Sequence, residues 1–98
     1  MTMAPIIRFI DGTQYMRAVA LATWLPLPLK NVLACLRESA ERGGRHDAEP
    51  LQHEGVLYLT RVQAVAIIAH IIIAASPGTP ESNRLLDAGM RVMRTFSE

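Results

Sequence analysis

Leu57-Tyr-Leu-Thr-Arg-Val-Gln-Ala-Val-Ala-Ile-Ile-Ala-His-Ile-Ile-Ile-Ala-Ala75 is the stretch that decides how this chain folds. It reads as a short strand, a helix start, and then a helix that is apolar on every side. Thr60 followed by Gln63 has the spacing of a capping box, in which each side chain bonds the other's orphan backbone N–H. From Val62 to Ala75 only Gln63 and His70 are polar, so a helical wheel shows no wet face. Such a helix has to be covered all round, by its own core or by a partner. A chain of 98 residues has little material for that, which points to an oligomer or a docked protein.

Working upstream, Leu51-Gln-His53 and Val56-Leu-Tyr-Leu59 flank Glu54-Gly55, the pattern of a hairpin. A stronger hairpin signal stands near the start. Ile6 to Ile10 and Thr13 to Met16 are β-prone runs joined by Asp11-Gly12, residue types that tolerate the positive φ a tight turn needs. Arg17 to Leu25 then predicts a short helix, with Val19, Ala20, Ala22 and Trp24 as packing candidates. Pro26 and Pro28 stop it, because neither can donate an N–H and each disfavours helix at its predecessor.

A second helix is predicted over Leu29 to Glu41, where Leu29, Val32, Leu33, Leu36 and Ala40 form one apolar stripe. Gly43-Gly44 ends it as a C-cap would, and Arg45 to Pro50 is a charged loop. Downstream of the apolar helix, Thr79-Pro80-Glu81 opens the last one, with Thr79 as N-cap and Glu81 near its positive end. Leu85, Leu86, Gly89, Met90, Val92, Met93 and Phe96 give that helix a wide stripe. The expected fold is therefore α+β, mostly helical and winged helix-turn-helix-like, in a single domain. Residues 6–59 would form the winged part and 60–97 the helical core and dimerisation part.

Composition narrows the function. Ten Arg plus Lys against nine Asp plus Glu leave a net charge of +1, less than a non-specific nucleic-acid binder usually carries. The apolar run is too short for a bilayer core of about 30 Å and is interrupted by Arg61 and His70. Met1 to Ile10 lacks the long apolar core of a signal peptide. A soluble, cytoplasmic protein with no membrane partner is expected, and the lone Cys35 fits as a small packing residue.

The order of motifs resembles the N-terminal domains of phage and viral antirepressors of the Bro-N and Rha types. The residues that carry the likeness are Ile7-Arg-Phe-Ile-Asp-Gly-Thr-Gln-Tyr15, Val19-Ala20 and Leu25, then Asn31-Val32-Leu33 and Leu36-Arg37, then Val56-Leu-Tyr-Leu-Thr60 with Gln63-Ala64. The chain departs from the pattern where Bro-N helices often carry an acid after the aromatic, since Arg17 to Leu25 holds no carboxylate. Its second helix is also less basic than a typical DNA reader. The resemblance implies a small transcriptional regulator that binds double-stranded DNA as a homodimer.

On that implication Lys30, Asn31 and Arg37 face DNA from the second helix, while Arg45 and His46 meet the backbone from the following loop. Arg reads guanine and Asn reads adenine with paired hydrogen bonds, whereas Lys usually meets phosphate. Glu38 and Glu41 on the same face argue instead for an ordinary solvated surface. Ile68, Ile71, Ile72, Leu86, Met90 and Met93 are the candidate dimer or partner interface. The alternative is a small inhibitor that binds a host protein, of the anti-CRISPR or anti-activator type, through an apolar helical surface.

No catalytic residue, cofactor or metal is expected. His46, Asp47, Glu49, His53 and Glu54 cluster in sequence but lack a recognised ligand spacing. His70 reads as a satisfied interior histidine, and Trp24 as a core or interface anchor. No phosphate loop or nucleophile elbow is present, so an enzyme is not expected.

Overall fold

Both hairpins turn where the sequence places them. The computed structural model describes residues 7–43, 46–75 and 77–96. In it Asp11 and Gly12 sit at φ 51° and 81°, and Glu54 and Gly55 at 52° and 77°. Two successive positive-φ residues make the tight turn whose twist suits a right-handed strand pair. β1 (Ile7–Ile10) thereby pairs antiparallel with β2 (Thr13–Arg17), and β3 (Leu51–His53) with β4 (Val56–Leu59).

The hairpins do not stay apart. Met16 lies opposite Leu59 and Arg17 opposite Tyr58, so β2 and β4 pair and a single antiparallel sheet of order β1-β2-β4-β3 results. Met16 and Leu59 are both wholly buried, and this shared burial is what selects the junction.

α1 (Ala18–Trp24) follows β2 without a break, and α2 (Leu29–Glu41) begins after the four-residue turn 25–28. The two helices bend by 103° across that turn. Inside it, the Leu25 N–H donates to the Leu21 carbonyl and the Leu27 N–H to that of Ala22, so two of the last carbonyls of α1 are satisfied. Val32 and Leu36 bury the expected stripe of α2, and Gly43 at φ 95° ends it in the left-handed conformation that glycine adopts freely.

α3 (Arg61–Ala74) starts with the expected capping box, and α4 (Pro80–Phe96) starts where Thr79 Oγ1 accepts from the Ser82 N–H at 3.1 Å. α3 is the hub, packed against α2, α4, β2 and β4. One core joins the whole, built on Met16, Leu21, Val32, Leu36, Leu59, Ile67 and Val92. The expectation that α3 is covered all round is not met by this chain itself. Val62 is largely exposed and Ile73 is 78% exposed, because α2 and α4 flank the helix but nothing among the described residues closes its last side. The fold is α+β: among the described residues, four helices and a small antiparallel sheet. Among the described residues no single helix is long and apolar enough to cross a membrane.

Candidate functional site

α2 buries one stripe and exposes the rest. Lys30, Asn31, Ala34, Arg37, Glu38 and Glu41 are all exposed, which follows from the helical period of their spacing. Arg37 Nη2 meets Glu49 Oε1 at 3.3 Å, and both side chains are more than half exposed. An exposed pair of this kind contributes at most about 1 kcal/mol, so Arg37 is easily released to another acceptor. Glu38 Oε1 lies 3.0 Å from Nε2 of His70, whose side chain is only 14% exposed. His70 is therefore satisfied, as expected, and it ties α3 to α2. Of the two acids, Glu38 is engaged by α3 and Glu41 sits at the C-terminal end of the face.

The loop after α2 is fastened from below. Gln63, 4% exposed, completes the capping box through Thr60 and also donates from Nε2 to the carbonyls of Asp47 at 3.1 Å and Glu49 at 2.9 Å. Its amide therefore holds α3's start, and the segment entering β3, in one geometry. His46, expected to reach a phosphate, is half-buried, and its Nε2 is buried without a hydrogen-bond partner among the described residues. Arg45, the other expected backbone contact, lies outside the described residues.

The expected interface set divides. Ile68 belongs to the core, at 4% exposure, and Ile71 packs against that core and lines a separate hollow with Trp24. Ile68 and Ile72 form the floor of an apolar groove of about 220 Å³, with Leu86, Met90 and Met93 as its α4 wall. Those three wall residues are exposed, Met90 by 61%. Gly89 lets the two helices close under the groove, since a β-carbon there would stand 3.2 Å from Ile68 Cγ2.

A further group escaped the sequence analysis. Strand alternation places Arg8, Tyr15, Arg17, His53 and Tyr58 on the sheet face opposite Met16 and Leu59. Tyr58 is buried at its centre, with edge-on contacts to Tyr15 at 6.5 Å and His53 at 6.4 Å. Arg8 Nη1 donates to the Tyr58 hydroxyl at 3.3 Å, and Arg8 Nη2 lies 3.6 Å from Glu54. Each hairpin sets its own residues on this face, and only the pairing of β2 with β4 joins Arg8, Tyr15 and Arg17 to His53 and Tyr58, so no local motif announces the group.

Trp24 is half-buried beneath the Arg91 guanidinium, 5.4 Å from the ring centre. Burial, and secondly the charge of Glu38, pushes the Cys35 thiol above its ordinary value, the opposite of what a nucleophile needs. Among the described residues no group of three His, Cys, Asp or Glu side chains is placed to hold a metal. No family model, curated protein or solved structure matches this chain.

Proposed function

We propose that this protein is a small DNA-binding regulator that lays α2 in the major groove of double-stranded DNA and acts as a homodimer. The observation that carries the proposal is the α1–α2 pair, bent by 103° over a four-residue turn with the face of α2 outward. Helix-turn-helix pairs cross at roughly 90–120° over such turns, and their second helix enters the groove. Hairpin β3–β4 follows α2, in the place of a wing. The antirepressor-like order of motifs supports the same assignment.

Within this proposal Arg37 leaves Glu49 for guanine, Asn31 bonds adenine and Lys30 meets phosphate. The Gln63 clamp keeps the wing at a fixed distance from α2. The groove between α3 and α4 seats the second copy, and the two-fold axis sets two α2 helices at half-sites about one DNA turn apart. Arg37→Ala is expected to weaken operator binding by about 1–3 kcal/mol and relax preference at one base pair, measured by gel shift on a selected sequence. Unchanged affinity and preference would remove α2 from the interface.

The second proposal is an inhibitor of a host protein, favoured by the exposed Leu86 and Met90 beside the apolar groove. Salt separates the two. DNA affinity falls steeply with salt as counterions are released, whereas an apolar protein interface changes little.

A further inference from the structure

We propose that the outer face of the sheet carries an oxyanion site for a phosphate group, built from Arg8, Arg17 and Tyr58. The site rests on observations of the sheet alone and stands apart from the role given to α2. Arg8 is opposite Tyr15, and Arg17 is two residues further along β2, so the two arginines are diagonal neighbours on one face. Such neighbours have Cα atoms roughly 7–8 Å apart, within reach of a common ligand for side chains this long.

They line a cleft of about 480 Å³ together with Ile7, Phe9 and Tyr58, room for a phosphate and part of the molecule that carries it. Arg17 Nε is shut away from solvent and has no hydrogen-bond partner among the described residues. That N–H is also closed to an incoming anion, so Arg17 offers the cleft the rest of its guanidinium. Tyr58 already accepts from Arg8, which leaves its own O–H to donate.

The charge on this face favours an anion. Two guanidinium groups face one carboxylate, Glu54, which reaches Arg8 only at 3.6 Å with both partners well exposed. His53 lies against the same carboxylate at 3.7 Å. A phosphate, with several acceptor oxygens, satisfies two planar forks at once where a single carboxylate satisfies one. Its source is either a small phosphorylated molecule or the backbone of a nucleic acid.

The test is an NMR titration of the intact protein with inorganic phosphate at low ionic strength, following the Arg17 Nε–H signal. A saturable shift is expected. Arg8→Gln and Arg17→Lys should each weaken it by about fivefold or more, and Glu54→Gln should strengthen it. Arg37→Ala should leave it unchanged. Arg8 is exposed and its exchange spares the core, so Arg8→Gln decides the matter if Arg17→Lys fails to fold.

Duplex DNA then identifies the source. A salt slope reduced by about one charge in Arg8→Gln marks the backbone of DNA, and an unmoved slope marks a small phosphorylated molecule. No saturable shift, or equal binding by wild type and both arginine variants, overturns the site. A wild-type protein that binds duplex DNA but gives no saturable phosphate shift would sink this site alone, and one that binds phosphate but no duplex would sink the role of α2 alone.

Discussion

Gln63 shows how much one amide accomplishes in an apolar helix. Its backbone N–H and side-chain oxygen close the capping box with Thr60, while its Nε2 holds two carbonyls of the loop before β3. Thr60→Ala removes the hydroxyl acceptor and is expected to cost about 1 kcal/mol, read as a lowered midpoint in chemical denaturation. Thr60→Ser should restore most of it. The box was legible in the sequence because its partners are three residues apart. The bonds to Asp47 and Glu49 were not, because they join residues 16 and 14 positions apart whose meeting depends on the whole fold. The same contrast divides the candidate sites. Lys30, Asn31 and Arg37 share a face that helical period defines, and the resemblance made that face a candidate; Arg8 and Arg17 share one set by the first hairpin, which Tyr58 joins only through the pairing of β2 with β4.

At the scale of elements, all four helices were legible, but the orientation of the uniformly apolar one was not. α2 runs over Leu29–Glu41 as its stripe and glycine stop require. α3 offered no polar face to orient it, so which sides would meet α2 and α4 could not be read from its composition. α3 and α4 approach closely at Gly89, where a β-carbon would already stand 3.2 Å from Ile68 Cγ2. Gly89→Val adds a branched side chain at that contact. It is expected to destabilise the fold by about 2 kcal/mol, visible as a lowered melting temperature. An unchanged or raised melting temperature would show that the helices part freely there.

Among the described residues, Leu86, Met90 and Met93 expose apolar surface on α4 beside the groove, while Phe9, Val19, Val62 and Ile73 expose it on other elements. On the homodimer proposal Met90→Glu places a charge in the seat of the second copy and should yield a monomer by light scattering, with the helical signal retained. A wild-type protein that is already monomeric would overturn the dimer. The sheet junction at Met16–Leu59 and Arg17–Tyr58 also has a kinetic consequence. It closes a loop of roughly 40 residues, an entropic cost met before the contacts that reward it are made. α1 and α2 lie within that loop, so each can coil early while the angle between them waits for the sheet to knit. During synthesis the first hairpin cannot find its neighbour until Leu59 has left the ribosome, and for that interval β2 presents a bare edge to any other strand it meets.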